Sequence, residues 1–439
     1  MLCLIRALFP FGRKRNIKKM GQTLSEPVTA KESAACQNSQ FKVGSSCMQG
    51  WRVTMEDSHT HILNLPDDPE AAFFAVYDGH GGAAVAQHAG NNLHKFIVQR
   101  AEYQDGDIGT AVRQGFLQFD SSMMSDEQMK EEVAGSTAVI VLIKNDQLYC
   151  GNAGDSRAVA CVNGLDHPLS SDHKPNNPTE AMRIKDAGGW VEYNRVNGNL
   201  ALSRAIGDFV FKRNSSKSPE EQMVIALPDV EQRTVTDDWE FVILACDGVW
   251  DVITNEEAVN FIRYRLGDRM EPEKICEELM TNCLSPDCQM GGLGCDNMTV
   301  ILVCFLHGKT WEEYCAKIAA TLQPNIEAYT SSLQNGSTDD VLVDDGNALV
   351  VDNANTGDIT ESVSNVLIPI PPPDLFGPDA ITLTTPVESN NVAYNVEDDH
   401  PACEIYNDVV NAAIKKGQDN LLESDSDEED EHLLPRKRL

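Results

Sequence analysis

The chain has 439 residues, enough for two or three domains or for one large catalytic core with appended tails. Its 41% hydrophobic and 23% charged residues are ordinary globular composition, and no window approaches the roughly 18 uninterrupted apolar residues of a membrane span. With 35 Lys and Arg against 68 Asp and Glu the net charge is −33, a field that repels nucleic acid and attracts cations, so no nucleic-acid partner is expected.

The first segment, 1–40, reads as a basic then polar arm, expected to be disordered. It starts apolar and turns basic, the reverse of the order in a secretory signal, and its six Lys and Arg before Met20 are accompanied by no acid. Met20 and Gly21 with Ser25 match the N-myristoylation pattern, which operates only on a Gly exposed by removal of the initiator Met. Lipidation of Gly21 therefore requires initiation at Met20. In either form one weak anchor gives at most a minor, peripheral membrane fraction, and the expected location is cytoplasmic, with a nuclear pool as the alternative.

Segment 41–308 alternates strand-like apolar runs with helical patterns. Phe73 to Tyr77, Ala138 to Ile143, Phe241 to Ala245 and Thr299 to Phe305 read as strands bounded by Gly, Asp or Asn. Thr254 followed by Glu257 is a capping box that opens a helix running to Gly267, and Ile275, Leu279 and Cys283 mark another. In 309–330, Trp311, Tyr314, Ile318 and Leu322 fall on one helical face before Pro324, the pattern of a docked helix. Segment 331–439 is rich in Ser, Asn, Asp, Thr and Pro, ends in an acidic run and PRKRL, and is expected to be largely disordered. Within it, Ile405, Val409 and Ala412 allow one short helix, and Ser424 and Ser426 precede acids as casein-kinase-type sites do.

Thirteen cysteines, an odd number spread over the whole length, do not form a disulfide framework and fit a reducing compartment. Cys283, Cys288 and Cys295 lack a C-x-x-C pair and a nearby His, so packed or free thiols are expected rather than zinc. No Cys is followed six residues later by Arg, which disfavours a cysteine-nucleophile phosphatase loop.

Three acidic clusters stand where core packing does not require them. Phe73 to Tyr77 ends in Asp78-Gly79-His80-Gly81-Gly82, Phe241 to Cys246 ends in Asp247-Gly248-Val249-Trp250-Asp251, and Asp296-Asn297 directly precedes MTVILVCF. A single Asp-Gly after a strand is usually a turn. Several together suit a hard divalent cation such as magnesium or manganese, which takes a few oxygen ligands and keeps much of its water. In GWRVTMEDSHTHI, period-two alternation places Arg52, Thr54 and Glu56 on one face, with Arg52 and Glu56 about 13 Å apart at roughly 3.3 Å per residue. That spacing lets the carboxylate serve a metal while the Arg reaches an anion beside it.

The blocks WRVTMED, FFAVYDGHGG, GSTAV, CGNAGDSRAV, DHKPNNPTEAMRI, GGWVEYNRVNGNLALSRAIGDF, LACDGVWDV and DNMTVILV resemble, in order, the type 2C, metal-dependent Ser/Thr protein phosphatases. The resemblance spans Phe41 to His307, and is closest to animal alpha/beta-type members. It implies an α+β fold of two antiparallel β-sheets packed as a sandwich and flanked by helices. It also implies two Mg2+ or Mn2+ ions per catalytic domain, one held by Asp78, Asp247 and Asp296, the other by Glu56, Asp78 and the Gly79 carbonyl. Arg52 would bind substrate phosphate and His80 act as general acid; Asp155 and Asp251 would serve a weaker third ion and Asp57 lie behind the ligands. The implied activity is hydrolysis of phosphoserine and phosphothreonine in phosphoprotein substrates, in signalling, by a monomer. A relative that binds phosphoproteins without turnover and a tail-based adaptor are the alternatives. The intact acidic set favours the enzyme.

Overall fold

The computed structural model describes residues 23–288 and 292–322. Expectations for Met20 and Gly21, for the Pro-rich and acidic segment 331–439, and for Ser424 and Ser426 lie outside those residues. Two antiparallel sheets stack face to face. One has six strands in the order Thr23–Gln37, Phe41–Arg52, Met298–Phe305, Trp239–Ala245, Arg157–Val162, Leu165–Pro168. The other has five, Asp229–Thr234, Gln147–Ala153, Ala138–Lys144, Ala71–Tyr77 and Ser58–Ile62. Among the described residues no helix is long and apolar enough to cross a membrane.

Alternation along each central strand explains the layering. In Ala71–Tyr77 all seven side chains are buried, because successive residues face opposite sides and both sides are covered. Phe73, Ala75 and Tyr77 meet the helices Ala84–Val98 and Ile108–Ser125, through Leu93, Ile97, Phe116 and Phe119. Phe74 and Val76 point the other way, into the inter-sheet core with Val139, Val141, Val242, Leu244, Ile301 and Val303. On the far face of the six-stranded sheet, Ile243, Val300 and Leu302 pack under helices Asn255–Gly267 and Pro272–Cys283. Burying each such Phe, Leu or Ile contributes about 1.5–3 kcal/mol.

The capping box at Thr254 is present: its hydroxyl accepts from Glu257 N at 3.2 Å and Glu257 Oε2 accepts from Thr254 N at 2.9 Å. A helix over 311–322 lays Trp311, Tyr314, Ile318 and Leu322 into the core beneath the six-stranded sheet.

Three expectations change. Residues 23–37 form a strand rather than part of a disordered arm; Thr23–Gln37 is an edge strand whose polar side chains face water while its backbone pairs with Phe41–Arg52. The segment after Arg52 does not continue the strand: it bends at 53–54, so Arg52, Thr54 and Glu56 are not on one extended face. Cys288 and Cys295 are joined as a disulfide with Cα atoms 6.0 Å apart. The Ser285 N–H donation to Gly294 O at 2.9 Å folds that loop back on itself and brings the two cysteines together. Cys283 remains a packed thiol, pushed up to about 12 by burial.

Candidate metal centre

One end of the sandwich collects the acids because five strands begin or finish there. Asp78 leaves Ala71–Tyr77, Asp247 follows Trp239–Ala245, Asp155 follows Gln147–Ala153, Asp296 precedes Met298–Phe305, and Glu56 with Asp57 precedes Ser58–Ile62. Two glycines allow the backbones to close up. A Cβ on Gly79 would lie 2.1 Å from Glu56 O, and one on Gly248 would lie 2.0 Å from Asn297 O. No side chain fits in either place.

The carboxylates repel one another at a partly open site: Asp57 and Asp155 are buried, Glu56, Asp78, Asp247 and Asp296 half-buried, and Asp251 exposed. Burial first, then the charges of Asp247, Asp57, Asp296 and Asp155, pushes the Asp78 carboxyl well above the usual range. Asp247 is raised in the same way by burial and by Asp155, Asp296 and Asp251. Burial raises Asp57 to about 7 against the Thr299 hydroxyl, which donates to its Oδ2 at 2.7 Å. Asp155 is also raised by burial, with Lys174 paired to it and opposing the shift. Arg52 Nη2 is ion-paired with Asp296 Oδ2.

Lys174, Arg52 and Arg157 against this many acids leave an excess of negative charge that a bound divalent ion would offset. Ligand atoms of Asp57, Asp78 and Cys246 come within 4.8 Å of one another. Burial and the surrounding carboxylates hold the Cys246 thiol well above its ordinary value, so it stays protonated, and it accepts from Thr299 N at 3.2 Å. The donor set is therefore oxygen, which fits magnesium or manganese better than zinc.

Neighbouring groups fix the acids in place. Glu56 accepts from Thr54 Oγ1 at 2.9 Å and from Gly82 N at 3.1 Å. Asp78 N donates to Thr137 Oγ1 at 3.1 Å, and Thr137 N donates back to Asp78 O at 2.9 Å. His80 Nε2 lies 2.6 Å from Asp208 Oδ2. Burial alone would pull this imidazole down, but the Asp208 charge and hydrogen bond outweigh it and the net shift is upward.

All ten residues singled out in the sequence come to this end of the molecule. Asp78, Asp247, Asp296, Asp155, Asp57 and Asp251 act on one another electrostatically, and Glu56 acts on His80. Gly79 lies against Glu56, and Arg52 reaches Asp296. Sequence reasoning gave no role to Asp208, Asn297, Lys174, Thr137 and Thr299, although each stands inside one of the blocks that carry the resemblance.

Comparison with known proteins identifies the family. The family described as Protein phosphatase 2C matches residues 41–290. A Caenorhabditis elegans protein named as a probable protein phosphatase 2C is 62% identical over 300 residues, covering 68% of this chain and 84% of the relative. A Hypocrea jecorina protein named protein phosphatase 2C homolog 2 is 48% identical over 308 residues, covering 68% and 70%. The crystal structure of a Toxoplasma gondii phosphatase superposes with a TM-score of 0.54 at 28% identity, over 63% of this chain and 95% of that one. The chain belongs to the protein phosphatase 2C family and is a metal-dependent protein serine/threonine phosphatase.

Proposed function

We propose that the acidic end of the sandwich is the catalytic centre and that it takes two Mg2+ or Mn2+ ions. The observation that carries this reading is the cluster of carboxylates pushed above their ordinary range by burial first and then by one another's charge, which a hard cation relieves. Asp78, Asp247 and Asp296 would hold one ion, and Glu56, Asp78 and the Gly79 carbonyl the other. Asp155 and Asp251 would serve a weaker third, and Asp57 supports the set from behind through Thr299. Bound together, two such ions supply Lewis acidity that activates water and offsets charge on the phosphoryl oxygens.

The chain's own groups do the rest. Arg52, half-exposed at the rim, offers a planar fork of donors to the phosphate dianion. His80 delivers a proton to the departing Ser or Thr oxygen, so that no strongly basic alkoxide has to leave.

The test is turnover of a phosphoserine or phosphothreonine peptide by the full chain, with manganese and with excess EDTA. Activity only with metal is expected; undiminished activity in EDTA overturns the reading. The proposal extends to a monomer acting in the cytoplasm, with a nuclear pool and a minor membrane fraction that depends on residues 1–25. Six cationic side chains ahead of Met20, or a lipid on Gly21 after initiation at Met20, support the latter. Equal membrane fractions with and without residues 1–25 would remove it.

A further inference from the structure

We propose that Asp208 is a positioning residue for His80: its carboxylate ties the Nε2 side of the ring, leaving Nδ1 as the atom that delivers the proton to the leaving group. This rests on the reading of His80 as the general acid.

Three short strands bring the two residues together. Gly79–His80 pairs with Gly135–Ser136, which pairs in turn with Ile206–Gly207, in a register that sets both His80 and Gly207 opposite Gly135. His80 and the Asp208 side chain therefore meet over Gly135. A Cβ there would lie 2.2 Å from Asp208 Oδ2 and 2.5 Å from His80 Nε2, so only glycine leaves room for the pair.

The backbone that presents Asp208 is unusual. Gly207 has φ +79° and Asp208 φ +51°, the left-handed region that a side-chain-bearing residue rarely adopts. Such a conformation persists where surrounding contacts hold it, and here they are specific. Asp208 N donates to Ala134 O at 3.1 Å. Gly207 N donates to Asp120 Oδ1 at 2.8 Å, and Lys212 Nζ spans both Asp120 oxygens at 2.8 Å while also donating to Ala205 O. Lys212 neutralises Asp120, so the pair anchors the turn without drawing on His80.

The Asp208 side chain is only 5% exposed, and among the described residues its carboxylate meets one hydrogen-bonding side chain, His80. A carboxylate withdrawn from water needs such a partner. The His80 ring is 28% exposed, and Nδ1 has no hydrogen-bond partner among the described residues. A carboxylate on the far nitrogen fixes the ring's orientation and its tautomer, as it does for imidazoles in other catalytic and metal sites.

His80 starts as the imidazolium, with Nε2–H held by Asp208. A water-derived hydroxide oxygen forms the new bond to phosphorus and the bond from phosphorus to the Ser or Thr oxygen breaks. That oxygen keeps the electron pair and takes the Nδ1 proton, which leaves a neutral imidazole protonated on Nε2.

The experiment compares kcat of the full chain at saturating manganese on a phosphoserine peptide and on p-nitrophenyl phosphate, whose leaving group needs no proton. For Asp208→Asn the peptide kcat is expected to fall roughly 10- to 100-fold with the aryl phosphate held within about 3-fold. Combined with His80→Ala it should cost nothing further. An unchanged peptide rate, an equal loss on both substrates, or losses that multiply in the double variant overturns the proposal. A second measurement needs no variant: 15N spectra of the histidine-labelled wild type should show neutral His80 protonated at Nε2, and an Nδ1–H tautomer overturns the assignment. A selective peptide loss in His80→Ala beside an unaffected Asp208→Asn defeats this inference alone. Equal losses on both substrates in His80→Ala defeat the general-acid reading beneath it.

Discussion

Asn297 holds Glu56 by its backbone. Its Oδ1 accepts from Glu56 N at 2.9 Å, while its Nδ2 donates to Gln49 O at 2.8 Å and Thr54 O at 3.0 Å. One amide thus fastens the end of one strand, the bend after Arg52 and the start of Glu56 to the residue that follows Asp296. Asn297→Ala is expected to raise the manganese concentration needed for half-maximal activity by about 10- to 100-fold, the usual cost of losing a group that orients a metal ligand. Activity titrated against manganese checks it; an unchanged half-saturation point would remove Asn297 from the site.

Asp78→Asn and Asp247→Asn test the ligand assignment and the electrostatics separately. Each is expected to lower metal-dependent turnover by at least about 100-fold. Each also removes one charge from a buried, mutually repelling group, so without metal the variant should melt no lower than the wild type. Thermal melting in EDTA decides it. A large destabilisation there would mean that these acids hold the fold together rather than await a cation.

The same repulsion sets a pH dependence. In the metal-free fold Asp57 titrates at about 7, and Asp78 and Asp247 lie well above the usual carboxylate value, whereas in the unfolded chain all three lose their protons near pH 4. Between those limits the folded state binds more protons than the unfolded one, so metal-free stability falls as pH rises through the window. A cation must displace these protons, so its apparent affinity rises over the same range. The gain in melting temperature on adding millimolar manganese should be larger at about pH 8 than at about pH 5.5. An equal gain at both would show that the raised acids are not the ones a metal meets.

The acids were legible because a carboxylate beside glycine at the end of an apolar strand is written in consecutive letters, as at Asp78-Gly79 and Asp247-Gly248. Asp208 was not, because what gives it meaning is the strand register that carries Gly207 past Gly135 to His80. Thr23–Gln37 escaped for a different reason: an edge strand with few buried side chains has no strong apolar alternation, and its stability comes from backbone pairing with Phe41–Arg52. The bend at 53–54 broke a pattern that ran smoothly on paper, since Asn297 captures the backbone on both sides of it. Cys288 and Cys295 are seven residues apart with no motif, and only the turn at Gly294 brings them within bonding range.

Tyr314 ties the helix over 311–322 to the six-stranded sheet far from the acids. Its ring stacks on Trp311 at 5.3 Å and its hydroxyl donates to Glu240 O at 2.9 Å. Glu240 is itself buried and paired with Arg263 at 2.8 Å, and Arg263 donates to Thr321 Oγ1 at 2.7 Å, so the helix closes over an ion pair sealed from water. Tyr314→Ala opens a cavity and exposes that pair, at an expected cost of about 3–5 kcal/mol. Tyr314→Phe keeps the ring and loses only the hydrogen bond, about 1 kcal/mol. Denaturant melts of both variants measure the difference. At a temperature where both are folded, kcat and the manganese requirement should match the wild type, because among the described residues no hydrogen bond links this helix to the acidic end. A loss of kcat in folded Tyr314→Phe would show that the helix governs the catalytic centre as well as the fold.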